Sequence, residues 1–144
     1  MQQAQITMFC IVADDCKNDL TNLFQQYYLG HKVLFANDGS KAASCIEQLD
    51  LDIIVIDLDI PEYDYTSIYK AIKLKTKTSP IIPLSARITD QVIDKCNLMG
   101  VDYCLSKKPF NQEVIRIKLD LAVNTLSMGT ENDMFDKARS KFFT

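Results

Sequence analysis

Five short apolar runs, each followed by a stretch with helical spacing, restrict what this chain can fold into more than any other feature. The runs lie at Ile6 to Ala13, Val33 to Ala36, Ile53 to Ile56, Pro80 to Leu84 and Tyr103 to Leu105. They have the length of strands, and the segments between them have the length of helices. Parallel neighbours in a sheet need a long crossover, usually a helix, whereas antiparallel ones close with a tight turn. Strict alternation therefore predicts an α/β domain whose parallel sheet is covered on both faces. Ile53 to Ile56 is apolar at every position, as burial on both faces requires, so this strand should lie centrally with neighbours on either side. Pro83 removes one ladder donor and is expected at the end of its strand or at a bulge.

The first intervening segment, KNDLTNLFQQYYLG, spaces Leu20, Leu23, Phe24 and Tyr27 for one helical face and closes on Gly30, a helix-stop residue. The second opens at Ser40 after Asn37-Asp38-Gly39 and gathers Ala42, Ala43, Ile46 and Leu49 on one side. The third carries Ile68, Ala71, Ile72 and Leu74, and the fourth runs from about Thr89 to Met99 and stops at Gly100. The last carries Val114, Ile117, Leu121 and Val123 after Pro109-Phe110. Past Leu126 the pattern breaks. The expected division is one domain over residues 1–126 and a tail over 127–144, either a short helix or disordered, whose Met134, Phe135, Ala138 and Phe142 share a helical side.

At 144 residues, with 47% hydrophobic and 24% charged positions, the chain has the size and composition of one globular domain with a real core. It contains no apolar run long enough to span a membrane, and the start MQQAQITMFC lacks the basic flank and small-residue cleavage pattern of an exported protein. The reading is cytoplasmic. Cys10, Cys16, Cys45, Cys96 and Cys104 are odd in number and without C-x-x-C spacing, which argues for small buried hydrophobes over a zinc site or a disulfide framework. A net charge of -3 leaves no electrostatic footprint for nucleic acid. His31, the single histidine, falls in a turn and supports no histidine chemistry.

The acids are more informative. Ligand groups in open parallel sheets gather beyond the carboxyl ends of the strands, where strand order reverses. Asp14 and Asp15 follow the first run and Asp57 follows the third, so a sheet with those two strands adjacent brings the carboxylates together. Like charges at such range repel unless a cation intervenes. Oxygen ligands with water suit Mg²⁺ or Mn²⁺, and Mg²⁺ is usually held by one or two carboxylates while keeping waters that a phosphate can replace. Asp14 and Asp15 also have a plainer role open to them, as caps of the helix that follows. Ser85-Ala86 ends the fourth run, and Lys107-Lys108-Pro109-Phe110 ends the fifth. Acids, hydroxyl and ammonium on one edge suit a carboxylate nucleophile that accepts a phosphoryl group, with lysine and hydroxyl on its oxygens.

At these residues the chain resembles the receiver domain of bacterial two-component response regulators, over about residues 7 to 126. The motifs are IVADD, then Asp57-Leu58-Asp59-Ile60-Pro61, then Ser85-Ala86, then KKPF. Each alone is a weak sign, and four in order are a strong one. The resemblance implies a flavodoxin-like (βα)5 three-layer sandwich with strand order 2-1-3-4-5. It implies that Asp57 accepts a phosphoryl group from a sensor histidine kinase or a histidine phosphotransfer protein. Mg²⁺ (or Mn²⁺) would be held by Asp15, Asp57 and the backbone carbonyl of Asp59, with Asp14 acting through water. Lys107, or Lys108 as the alternative, would pair with the phosphoryl oxygens. Ser85 would be drawn to them, changing the surface around strand four, helix four and strand five for a downstream protein partner or a phosphorylation-dependent homodimer. Catalysis is expected only of its own phosphorylation and dephosphorylation.

The sequence also departs from the family pattern. An extra residue doubles the lysine before Pro109; counting from Ser85 or Gly100 favours Lys107, and counting back from Pro109 favours Lys108. Tyr103 stands one place early, with Cys104 in the aromatic position, and Tyr65 replaces the glycine usual after Asp64. Asp59 and Arg87, each two residues past a motif residue, are expected to interact across the mouth of the site. Two other functions compete. One is a receiver-like module that binds partners without phosphorylation. The other is a haloacid-dehalogenase-like phosphatase, whose Asp-x-Asp motif is similar to IDLDIP but normally continues differently.

Overall fold

The computed structural model describes residues 5–60, 65–75 and 79–126. Five strands alternate with helices: β1 (Thr7–Ile11), α1 (Asp14–Tyr27), β2 (Lys32–Ala36), α2 (Gly39–Gln48), β3 (Ile53–Asp57), α3 (Tyr65–Lys75), β4 (Ile81–Ser85), α4 (Asp90–Leu98) and β5 (Leu105–Ser106). A fifth helix, α5, covers residues 112–126. All pairings between strands are parallel, in the order β2-β1-β3-β4-β5, so β3 is central and fully buried as its unbroken apolar run requires. This is the flavodoxin-like arrangement. No described helix is long and apolar enough to cross a membrane.

Strand alternation divides the core in two. Met8, Cys10 and Val12 of the first strand region and Ile53 and Val55 of β3 face a layer built with Leu20, Leu23 and Phe24 of α1 and Ile115 and Leu119 of α5. Phe9, Ile11, Ile54 and Ile56 face the other way, onto Ala42 and Ile46 of α2, Ile68 and Ile72 of α3, and Val92 and Cys96 of α4. Burying each of these large side chains contributes about 1.5–3 kcal/mol. Local signals set the helix ends. Asp38 accepts from the Lys41 amide at 2.8 Å to cap α2, and Thr89 accepts from Val92 to cap α4. Gly100 follows α4 at φ 74°, a left-handed turn that glycine takes without strain.

Four expectations need correction, one being Leu74 of α3, which is exposed while Ile68 and Ile72 are buried. Pro83 lies inside β4 and not at its end, paired opposite Ile56. Pro80 and Leu84 turn their carbonyls to β3, so Pro83 turns its nitrogen the other way, where β5 pairs only from Leu84 onward, and no ladder bond is lost. In α5 the buried residues are Ile115, Leu119, Ala122 and Val123, whereas Val114, Ile117 and Leu121 are exposed. At the end of α1 the tyrosine that packs inward is Tyr28, the C-cap residue, donating to Asp120 at 2.6 Å, while Tyr27 is exposed beneath the guanidinium of Arg116. Pro61, the side chain of Tyr65, and the tail with Met134, Phe135, Ala138 and Phe142 lie outside the described residues.

Candidate functional site

Parallel strands end on the same edge, and that edge carries the polar groups. Asp57 is the last residue of β3 and Ser85 the last of β4, while Lys107 follows β5 directly. The pairings Asp57↔Leu84 and Ser85↔Ser106 align the three strand ends. Asp57 is fully buried although it is a carboxylate, which only pairing and hydrogen bonds make tolerable. Its Oδ2 accepts from the Ala13 amide at 3.1 Å and lies 2.8 Å from Lys107 Nζ, and its Oδ1 accepts from the Asp59 amide at 2.9 Å. Lys107 is itself buried, with 4% of its side chain exposed, and its ammonium also lies 3.3 Å from Asp59 Oδ2 and 3.8 Å from Asp15 Oδ1. One ammonium thus faces three carboxylates. Burial alone would lower the Lys107 pKa, but the ion pairs to Asp57 and Asp59 outweigh it and hold the group above its ordinary value.

Lys108 goes the other way. Its side chain is 65% exposed and its Nζ reaches Asp15 Oδ2 at 2.8 Å. The hydrogen bond from Lys108 is the largest influence on Asp15; with the attraction of both lysines it overcomes the opposing desolvation and lowers the Asp15 pKa. Neither Asp14 nor Asp15 is the N-cap of α1. That position belongs to Ala13, which makes no side-chain capping bond, and the two acids sit in the first turn, where the helix dipole favours negative charge. Asp14 is exposed and accepts from Asn37 Nδ2 at 3.3 Å. The structure therefore brings together Asp15, Asp57, Asp59, Ser85, Lys107 and Lys108, with Asp14 engaged by Asn37 alongside.

Asp59 is bound on its far side. Ser85 Oγ lies 2.7 Å from Asp59 Oδ1, and the Ala86 amide donates to Asp59 Oδ2 at 2.6 Å. Desolvation pushes the Asp59 carboxyl up, but the bonds from Ala86, Ser85 and Lys107 outweigh it and leave the pKa lowered. This corrects the expectation for Arg87. Among the described residues no ion pair joins Arg87 to Asp59; the Arg87 main chain instead brackets Ser85, its carbonyl 2.8 Å and its amide 3.2 Å from Oγ. The Ala13 and Ala86 amides donate to the carboxylates of Asp57 and Asp59, and side-chain reading missed them because a backbone N–H leaves no signature in the residue type. Tyr103 lies away from the cleft, its hydroxyl donating to the Ile81 carbonyl at 3.4 Å and its ring under the Lys118 ammonium. Cys16 is buried beside the site, and burial, then the charge of Asp57, push its thiol up to about 12.

Above these groups opens a cleft of about 530 Å³, lined among others by Ala13, Asp15, Asp59, Ala86 and both lysines. Among the described residues no three His, Cys, Asp or Glu side chains are grouped as ligands of one metal ion. The donor chemistry nevertheless fits a hard divalent ion, which needs only one or two carboxylates and fills its remaining positions with water. Asp15 and Asp57 both lie within 4 Å of the same ammonium, at 3.8 and 2.8 Å, so hard anionic oxygens already share one cationic partner.

Comparison with known proteins agrees with this geometry. Residues 10–120 match the response regulator receiver domain family, and the chain belongs to it. It is 27% identical over 131 residues to the sensory/regulatory protein RpfC of Xanthomonas campestris pv. campestris, covering 86% of this chain and 18% of that one. It is 30% identical over 115 residues to the sensor histidine kinase RcsC of Escherichia coli, covering 79% of this chain and 12% of that one. The chain thus spans less than a fifth of either relative. Among solved structures, the receiver domain of a Pseudomonas aeruginosa sensor histidine kinase, with magnesium coordinated in its active site cleft, superposes with a TM-score of 0.70 at 22% identity, covering 84% of this chain and 99% of that one. The chemotaxis response regulator CheY4 of Vibrio cholerae gives 0.69 at 20% identity, covering 83% and 99%. The chain is therefore a receiver domain of two-component signalling.

Proposed function

We propose that Asp57 is a phosphoacceptor and that its phosphorylation switches the surface formed by the end of β4, α4 and β5. The observation that carries this reading is the buried carboxylate of Asp57 held 2.8 Å from a buried lysine at the foot of an open cleft. An oxygen of Asp57 attacks the phosphorus of a phosphohistidine; the P–N bond breaks, its electron pair returns to the imidazole, and the carboxylate becomes an acyl phosphate. Lys107 stabilises charge on the transferred oxygens, and Ser85 and the Ala86 amide supply further donors. Burial and distance favour Lys107 over Lys108 for this role. Asp15, Asp57 and the Asp59 carbonyl would hold Mg²⁺ or Mn²⁺, with Asp14 engaged through water. When bound, the ion offsets the negative charge of the carboxylates and the incoming phosphoryl group.

The donor on this reading is a sensor histidine kinase or histidine phosphotransfer protein in the cytoplasm, and the output is a protein partner or a second copy of the chain. Intact mass after incubation with acetyl phosphate and Mg²⁺ tests it. The expected result is one added phosphoryl group, lost in Asp57→Asn. Equal uptake by that variant would refute the assignment.

A further inference from the structure

Asp59 lies two residues beyond Asp57, in the turn that follows β3, and its carboxylate turns back to the edge that Asp57 serves. Its carboxylate is 30% exposed and had water available as a partner, yet it engages three protein donors. These are the Ser85 hydroxyl at 2.7 Å, the Ala86 amide at 2.6 Å and the Lys107 ammonium at 3.3 Å. They come from β4, the residue after it and the residue after β5, so one carboxylate ties the switch loop to the phosphoacceptor strand. On the phosphoacceptor reading above, these are also the donors that an oxyanion on Asp57 requires. The cleft holds one set of donors for two anions.

We infer that the Asp59 carboxylate stands in for the phosphoryl group in the resting protein, holding Ser85 and Ala86 at the cleft until a phosphoryl group on Asp57 displaces it. The inference rests on Asp57 being the phosphoacceptor. Ser85 has a single hydroxyl proton and two acceptors in range, Asp59 Oδ1 and the Arg87 carbonyl at 2.8 Å. The charged acceptor forms the stronger bond. Without Asp59 the hydroxyl still has the Arg87 carbonyl, whereas the Ala86 amide loses the partner seen here. Ala86 is therefore the sensitive reporter. Two consequences follow: phosphorylation exchanges one anion for another at the loop, and the loop moves less on activation than it would if it began unattached.

Hydrogen exchange at the Ala86 amide, followed by NMR in the full chain, tests this. In the unphosphorylated protein Ala86 should be protected. Asp59→Ala should raise its exchange rate by about tenfold or more, and beryllofluoride with Mg²⁺, its binding followed by fluorine NMR, should restore protection in that variant. Unchanged exchange in Asp59→Ala would overturn the inference, as would bound beryllofluoride that leaves Ala86 unprotected. Asp59→Leu, which keeps the approximate shape and removes both acceptor oxygens, repeats the test should the alanine variant lose its fold. Acetyl phosphate uptake by the parent chain separates the two readings. Absent uptake removes the phosphoacceptor and the stand-in together, whereas normal uptake with Ala86 exchange insensitive to Asp59 removes the stand-in alone.

Discussion

Both walls of the cleft carry carboxylates with a lysine partner and treat them differently. On the β3–β4–β5 wall, Asp57, Ser85 and Lys107 are buried and joined by contacts of 2.7–2.8 Å to one another or to Asp59. On the β1–α1 wall, Asp14 and Asp15 are exposed at the start of a helix, with Asn37 and the exposed Lys108 as partners. The difference teaches which charges are held by the fold and which remain at the disposal of a ligand. A buried charge that loses its partner is stranded, whereas an exposed one is simply rehydrated.

Substitutions can break that contrast. The largest effect is expected at Asp57, where Asn should abolish phosphoryl uptake outright, read by intact mass; Asp14→Asn, which loses only a water-mediated contact to the ion, should slow uptake without abolishing it. Next come the adjacent lysines. Lys107→Ala strands the Asp57 carboxylate and should cost about 3–5 kcal/mol, while Lys108→Ala should cost less than about 1 kcal/mol, both from urea unfolding. Equal losses would mean that the two walls are not distinct. Asp15→Asn should weaken Mn²⁺ binding by about tenfold or more, the scale of losing a charged oxygen ligand, and Lys108→Ala should strengthen it a few-fold by removing a competing cation; titration by electron paramagnetic resonance measures both.

Acid sharpens the comparison at smaller scale. Asp15 and Asp59 have lowered pKa values in the fold, so their contribution to stability is complete above the ordinary carboxylate value and is lost as pH falls through the lowered ones. Asp59→Asn should therefore flatten the acid limb of a stability–pH curve slightly, since both groups are partly exposed and solvent screens them. The smallest effect concerns thiols. Burial first, then Asp57 for Cys16 and Cys96 for Cys104, push both up to about 12, so at pH 8 iodoacetamide should label the half-buried Cys45 first.

Much of this was readable in the residues because burial on two faces leaves a plain record. β3 reads as central from Ile53 to Ile56 alone, and the order of acids, hydroxyl and lysine along the chain places them on one edge once the strands are parallel. The phase of α5 was not readable. Apolar residues occur nearly all round it, at Val114, Ile115, Ile117, Leu119, Leu121, Ala122 and Val123, so spacing alone does not choose a face. Packing of Ile115 and Leu119 against the sheet, with Tyr28 bonded to Asp120, makes the choice. The attachment of Asp59 to Ser85 depends on the register between β3 and β4, which no single segment encodes. The lysine doublet left two countings open, and the turn after β5 sends the first inward and the second out.

The shortness of β5 has a mechanical consequence. Only Leu105 and Ser106 pair with β4, and the ladder ends with the Lys107 amide donating to the Ser85 carbonyl at 3.0 Å. The hydroxyl-bearing residue and the ammonium-bearing residue are thus riveted through their main chains. They form one jaw of the cleft, so whatever tugs on the alcohol also levers the amine.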